Sequence, residues 1–551
     1  MKGLVPASQQ PPLPADRLIL RETPDEEAVP MDVLFVGGGP AGLAGAIELA
    51  RLVAKDRETG APCADIEIGV LEKSSELGEH CLSGAVVNAD AFRELFPDVP
   101  ESDLPFAGPV PGDRVHLLTE KGNVRLPTPP TMRNHGHHVA SICEVVRWLG
   151  ERAEEAGVNV FTGFPADSLL MEGDRVVGVR TTPAGLDRDG EPGSGYMPPT
   201  DLTARVTVLA EGTRGPLTAA WLDDQEIGSD NPQIYALGVK ELWQVPGGLD
   251  SVIHTMGWPL PRDAFGGSFI YPMGPDLVSI GLVVGLDAPY VDLDVHAWLQ
   301  ALKSHPFVAP KLEGGELLEW GAKTIPEGGY HAIPHRLHGD GLLVVGDAAG
   351  VVDVATLKGI HYAMWSGILA ARAAHAALSV DDPSRAGLAG FDSALRARLA
   401  DSPLYRNRNM RLAFKSGFFG GGAKAGVMQL TRGVFPGRRI ETPPDAAEPR
   451  TSRAGIDPPT DGKRTFAKVD AVFRSGNATR DDIPSHLVVG EDVTPEMAEL
   501  YERLCPAGVY EVQGGRLVVN APNCVDCKAT DVLGPRWTPR EGGSGPAYKR
   551  M

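Results

Sequence analysis

The stretch that most constrains this chain is DVLFVGGGPAGLAGAIELARL, residues 32–52. Its pattern predicts a short buried strand over Val33–Val36, a glycine turn, and an Ala-rich helix over Leu43–Leu52. Within it, Gly37-x-Gly39-x-x-Gly42 has the spacing of a dinucleotide fingerprint. The first glycine permits the tight turn, the second lets backbone approach a pyrophosphate, and the third lets helix and strand pack closely. The helix N-terminus adds unpaired N–H groups and partial positive charge. A second buried strand, Ile66–Leu71, follows a polar insertion at 53–64, and Glu72 at its end is placed to accept from a ribose hydroxyl. Glu72 lies 30 residues past Gly42, further than the usual ~20, and the insertion accounts for the excess. This βαβ context favours a phosphate-binding turn over a mere cluster of turn-forming glycines.

Two later segments choose between flavin and nicotinamide. VTVLAEGTRG (206–215) and LLVVGDAAG (342–350) each end an apolar strand with an acid beside glycine. They contribute Glu211, and Gly346 with Asp347. In FAD proteins of the glutathione-reductase type the second such segment carries an Asp that faces the ribityl or pyrophosphate groups. One N-terminal fingerprint, a late GDAAG and no second GxGxxG favour FAD. An N-cap role for Asp347 is compatible with that contact.

The 551 residues suffice for two to four compact units. With 52 Lys+Arg against 72 Asp+Glu the net charge is −20, which argues against nucleic-acid binding. No apolar run reaches the length of a bilayer span. Residues 1–30 lack an apolar signal region and read as a flexible arm, so the cytoplasmic side of a bacterium is expected. The middle, about 100–335, is rich in short β-like runs, and 441–465 is Pro-rich and polar enough for a linker. His135, His137 and His138 cluster in NHGHH and read as structural.

Of six cysteines, three crowd the last 50 residues. Cys505-Pro506 and Cys524-x-x-Cys527 form a soft-ligand set suited to iron–sulfur chemistry. The next step of the spacing, position 530, is Thr. Three readings follow: a [4Fe–4S] cluster with a non-Cys fourth ligand (Asp531, Asp526, Thr530 or water), a [3Fe–4S] cluster, or a site that has lost its metal or holds zinc.

Residues 405–439 hold eight cations and no acid, interleaved with Phe414, Phe418, Phe419, Val427, Met428, Leu430, Val434 and Phe435. Such a segment suits the headgroup layer of an anionic leaflet. A solvated basic face or an acidic protein partner would use the same charges.

LGEHCLSGAVV (77–87), LGVKELW (237–243), HTMGWPL (254–260), FGGSFIY (265–271), EGGYHAIP (327–334), LKGIHYAM (357–364), CPAGVYE (505–511), NCVDCK (523–528) and GGSGPAY (542–548) follow one another along the chain. In this order they resemble the electron transfer flavoprotein–ubiquinone oxidoreductase family, from about residue 31 to the end. The resemblance implies an α/β (α+β overall) protein: a Rossmann-like FAD-binding fold of glutathione-reductase type, a β-rich quinone-binding region and a C-terminal ferredoxin-like domain. The corresponding boundaries are 31–240 with 335–400 for FAD, 241–334 for quinone, 401–440 for the membrane surface, a linker over 441–465, and 466–551 for the iron–sulfur domain. It also implies electron transfer flavoprotein as donor, the membrane quinone pool as acceptor, and monotopic attachment to the cytoplasmic face of the bacterial inner membrane. Gly84 joins the flavin site. Gly266 and Gly267 would contact the quinone, with Phe265 where the family usually has Tyr. Cys505, Cys524 and Cys527 carry over as cluster ligands, and Thr530 departs from the pattern. An FAD-dependent isoprenoid-chain reductase and an FAD-binding docking subunit without a working cluster are the alternatives.

Overall fold

The computed structural model describes residues 3–551. Its larger sheet has nine strands, and the fingerprint strand Val29–Val36 sits inside it, parallel to Ile68–Glu72 on one side and Asp201–Leu209 on the other. Leu342–Val344 also runs parallel to Asp201–Leu209. Helices cover the sheet, so Val33, Leu34, Phe35, Val206 and Val208 are fully buried, and the strands read as continuous apolar runs rather than alternating ones.

Helix Pro40–Thr59 lies against helix Ile360–Ser379 at two small residues. A Cβ on Gly367 would sit 2.0 Å from the Ala41 carbonyl oxygen, and one on Gly45 would sit 2.9 Å from that of Gly367. This close crossing brings the late GDAAG segment back to the glycine turn.

The second sheet has seven strands. Tyr235–Gln244, Leu277–Gly285, Gly266–Pro272 and Val252–Gly257 form its centre, with Glu316–Pro326 at one edge. Asp113–Leu118 and Asn123–Leu126 extend the other edge. The C-terminal part contains helix Pro495–Leu504, the hairpin Tyr510–Gln513/Arg516–Val519, and a short pairing of Leu487–Val488 with Arg536–Trp537. It shares one apolar core with the seven-stranded sheet. That sharing ties the two parts into a fixed relation.

Several expectations are corrected. Residues 1–2 lie outside the described residues. The rest of the expected arm is packed: Ile19–Leu20 pairs with Ala166–Glu172 in the main sheet, and Leu18 is fully buried. The polar stretch after residue 52 is not a separate insertion, because the helix continues through Thr59 before a short turn. The segment 441–465 is no loose linker either. Arg450, 1% exposed, donates to the Leu286 and Asp445 carbonyls, and polar composition concealed this buried anchor. The quinone-region sheet begins at Tyr235 rather than 241 and borrows strands 113–126 from the flavin portion.

Candidate functional site

The glycine turn has the shape its spacing implies. Gly37 adopts φ +119°, and a Cβ there would lie 2.4 Å from the Ala210 carbonyl oxygen. A Cβ on Gly42 would lie 2.1 Å from the Gly37 carbonyl oxygen. Gly39 differs: a Cβ there meets nothing within 4 Å. The first and third glycines are therefore closed against protein, and the middle one opens into a cavity of about 1210 Å³ that it helps to line. This exceeds the usual ~300–1000 Å³ of a small-ligand pocket, so a dinucleotide and a second ligand can share it.

Glu72 borders this cavity. Its Oε2 accepts from Gly38 N at 2.9 Å, and Oε1 accepts from Ser74 N and Oγ, each at 2.9 Å. The carboxylate is thus fixed in orientation, with lone pairs left for a ligand hydroxyl. Glu211 also lines the cavity, but its oxygens accept from Thr218 N at 2.7 Å and Leu217 N at 3.2 Å, capping helix Pro216–Asp224. Asp347 and Gly346 line the cavity as well, where a Cβ on Gly346 would lie 3.0 Å from that of Ala41. Burial pushes the Asp347 carboxyl up to about 6, with Lys323 opposing the shift. Its side chain takes no hydrogen bond among the described residues, as a carboxyl awaiting a ligand donor would. These features fit FAD: an open backbone turn, an oriented acid and an unsatisfied acid bordering one cavity.

Gly84 lines the same cavity, beside Tyr271. Gly266 and Gly267 open strand Gly266–Pro272, where added Cβ atoms would meet the Val283 and Thr255 carbonyl oxygens at 2.2 and 2.8 Å. Their smallness lets neighbouring strands approach while both still border the cavity. Phe265 packs with its ring 4.0 Å from the Arg411 guanidinium and 5.4 Å from the Phe414 ring. Arg411 itself corrects the picture of a uniformly exposed basic segment. It is buried and bonded to Glu327 and Asp287, because the second sheet presents two acids there. Helix Phe418–Leu430 follows at the cavity mouth, with Phe419 75% and Leu430 86% exposed. Among the described residues no helix is long and apolar enough to cross a membrane.

Cys505, Cys524 and Cys527 are brought together around a second, small cavity. All three are buried, and burial raises their thiols, that of Cys524 to about 12. Backbone N–H groups of Val509, Ala507, Tyr510, Asp526 and Ala529 oppose this at the sulfurs. Buried sulfurs ringed by amides suit a metal cluster, whose cations supply the charge that ionises the ligands. Asp526 is equally buried. Although burial alone would raise its carboxyl, Arg540 and Lys73 hold it well below the usual range. The two residues that border both cavities are Lys528 and Trp537. Sequence reasoning missed both, along with Tyr510 of the small cavity. Lys528 and Tyr510 lay inside the quoted motifs, whereas Trp537 carried no local signal.

A Rossmann-like fold with a flavin-shaped cradle, a β-walled chamber and a buried thiol cavity defines an FAD-dependent oxidoreductase with an iron–sulfur centre. The fold is shared at a TM-score of 0.56 with a geranylgeranyl bacteriochlorophyll reductase-like protein from Thermoplasma acidophilum, 20% identical, over 75% of this chain and 93% of that one. A myxobacterial chondrochloren halogenase, an FAD-dependent enzyme, gives a TM-score of 0.53 at 18% identity over 78% and 99%. Family models match residues 235–325 as the ubiquinone-binding region of ETF-QO and residues 462–549 as the 4Fe-4S region of electron transfer flavoprotein-ubiquinone oxidoreductase. The mitochondrial electron transfer flavoprotein-ubiquinone oxidoreductase of Oryza sativa subsp. japonica is 38% identical over 95% of this chain and 94% of its own length. That of Homo sapiens is 36% identical over 94% and 89%. The chain belongs to the electron transfer flavoprotein–ubiquinone oxidoreductase family.

Proposed function

We propose that this enzyme takes electrons from reduced electron transfer flavoprotein and delivers them to ubiquinone at a membrane surface. One observation carries the reading. The large cavity reaches from the Gly39 turn past Gly266 and Gly267 to Phe419 and Leu430, and its walls Lys528 and Trp537 also bound the thiol cavity. When bound, FAD supplies one- and two-electron chemistry and the cluster one-electron relay.

The chain's own work is placement. Gly37, Gly39 and Gly42 with the helix N-terminus bind diphosphate, Glu72 orients a ribose, and Gly84, Gly346 and Asp347 complete the cradle, with Glu211 on its edge holding helix Pro216–Asp224. Phe265, Gly266 and Gly267 frame the quinone. Cys505, Cys524 and Cys527 hold the cluster. Lys358 Nζ, donating to Asn134 Oδ1 at 2.7 Å on the cavity wall, keeps a transferable proton there because burial lowers the ammonium to about 8. The seven-stranded sheet over 235–326, with strands 113–126 at its edge, serves the quinone, the rest of 31–240 with 335–400 serves FAD, and 466–551 serves the cluster.

Membrane contact is monotopic in this reading, through the apolar face of helix Phe418–Leu430 and the neighbouring Val434 and Phe435. Arg406, Lys424, Arg432 and Arg438 make no ion pair among the described residues. They are therefore free to meet anionic lipid. The cytoplasmic face of a bacterial inner membrane is the location this implies for a bacterial source.

The test is anaerobic ubiquinone reduction in anionic vesicles, with reduced electron transfer flavoprotein as donor. Quinone reduction that requires both partners supports the proposal. A bound flavin that this donor cannot reduce would overturn it. Sedimentation with the same vesicles tests the membrane claim: Phe419→Asp with Leu430→Asp should release the protein, and unchanged sedimentation would refute it.

A further inference from the structure

The pattern of three thiols leaves one vertex of a four-iron cluster without a sulfur ligand, and the structure narrows what can occupy it. The inference rests on the cluster reading above. Asp526 is one nearby carboxylate. Its Oδ1 accepts from Arg540 Nη2 at 2.8 Å and Trp537 Nε1 at 3.0 Å, and its Oδ2 from Lys73 Nζ at 2.7 Å. Asp531 is the other. Its Oδ2 accepts from Arg214 Nε at 2.6 Å and its Oδ1 from Trp537 N at 3.0 Å. Neither acid borders the thiol cavity. Turning Asp526 toward iron would strip the buried Arg540 of its counter-charge, and turning Asp531 would do the same to the partly buried Arg214, both unfavourable.

His486 is the remaining donor nearby. Its ring nitrogens have no hydrogen-bond partner, and one lies within 4.8 Å of the Cys524 sulfur and an Asp526 oxygen. It too lies outside the cavity lining. The lining instead contains Thr530 and Tyr510 beside the three cysteines. Tyr510 is 1% exposed, and its hydroxyl faces that of Thr530 without completing a hydrogen bond of normal geometry. A buried hydroxyl without a full partner is unfavourable, so it marks a place where a polar ligand or ion is expected.

We infer that the fourth vertex is an oxygen-ligated, exchangeable iron site lined by the hydroxyls of Thr530 and Tyr510, while three thiolates hold the other irons permanently. Neutral hydroxyl oxygen is a poor substitute for thiolate on iron. One iron is therefore labile, and the cluster passes between three- and four-iron forms under conditions that leave a four-thiolate cluster intact.

The experiment uses the full-length protein, purified and reconstituted without oxygen, then treated with a mild ferrous chelator. Chelation withdraws one ferrous ion and leaves the remaining electrons on the cluster. Ferricyanide then removes one electron to give the oxidised three-iron EPR signal. Expected results are loss of one iron in four from the native protein, and return of a Mössbauer-active iron isotope to a single vertex on adding ferrous ion. Thr530→Cys should retain all four irons under the same chelator. Thr530→Val, which removes only the hydroxyl, should take back ferrous ion roughly tenfold more weakly.

A native protein as chelator-resistant as Thr530→Cys would overturn the proposal and point to His486. Equal ferrous uptake by Thr530→Val would overturn the part given to the hydroxyl. Iron in Thr530→Cys but none in the native protein would overturn the proposal alone. Absence of iron from both would overturn it together with the cluster reading.

Discussion

The Lys528 ammonium lies 4.3 Å above the ring of Trp537, and these two side chains form the shared wall between the flavin-sized cavity and the thiol cavity. Lys528 Nζ also donates to the Arg214 carbonyl at 2.9 Å, and Trp537 Nε1 donates to Asp526 Oδ1 at 3.0 Å. Burial, with Lys73 and Lys323 nearby, lowers the Lys528 ammonium to about 7, so below that pH a positive charge stands between the two cavities.

Lys528→Met keeps most of this volume and removes the charge. A nearby cation favours the reduced, more negative state of a cluster. The cluster midpoint potential should therefore fall by tens of millivolts in an EPR-monitored redox titration below pH 7, where the lysine carries its charge. An unchanged potential would show that Lys528 does not act on the cluster electrostatically.

The glycine turn offers a paired test. Gly42→Ala places a methyl 2.1 Å from the Gly37 carbonyl oxygen, and overpacking of this kind costs about 1–3 kcal/mol or more. Gly39→Ala meets no protein atom within 4 Å, so it should leave flavin-free stability nearly unchanged. It should weaken FAD binding roughly tenfold, equal to about 1.4 kcal/mol. Thermal unfolding of the flavin-free protein and a flavin titration separate the two effects.

Glu241 and Lys303 form a fully buried ion pair, with Lys303 Nζ 2.8 Å from both carboxylate oxygens. Trp243 Nε1 and Gln300 Nε2 donate to the same carboxylate. Lys303→Met strands the carboxylate and should destabilise the fold by about 3–5 kcal/mol. Glu241→Gln in the same chain should recover much of that loss. Urea unfolding of single and double variants measures both.

Asp445 makes stability pH-dependent in an unusual direction. It is buried, its Oδ2 accepts from Tyr235 N at 2.7 Å, and its Oδ1 has no partner. Burial first, then Asp287, raises its carboxyl to about 8, against the smaller opposing effects of the Tyr235 N–H, Arg411 and Arg450. The folded chain therefore keeps a proton that the unfolded chain releases above its ordinary carboxyl range. The contribution is fully present below about pH 4 and declines as pH rises toward 8, at most about 1.4 kcal/mol per pH unit. Asp445→Asn should flatten the stability profile across that window, and a profile identical to the native one would contradict the assignment.

Local patterns made much of the flavin cradle legible. Gly37, Gly39, Gly42 and Glu72 are set by short-range rules, since turn geometry and strand length place them whatever the rest of the chain does. Glu211 shows the limit of such rules. An acid beside glycine looked like a cofactor contact, and its carboxylate is largely engaged in capping the next helix. Arg411 shows another. It counted as one of eight surface cations until the fold set Asp287 and Glu327 beside it. The supposed linker at 441–465 misled for the same reason, because polar composition does not reveal that Arg450 is buried against the carbonyls of Leu286 and Asp445.

By itself the sequence determined the βαβ turn, the cysteine spacing with its Thr at position 530, and the ordered motifs that mark the family. These are statements about neighbours along the chain, where bond geometry and side-chain chemistry suffice. Only the tertiary structure decided that Lys528 and Trp537 stand between two cavities, that Asp526 and Asp531 are spent on cations, and that Tyr510 turns a hydroxyl without a full partner into the cluster's surroundings. Those relations join residues far apart in the chain, and they exist because packing brings such residues together and burial makes charged groups pair.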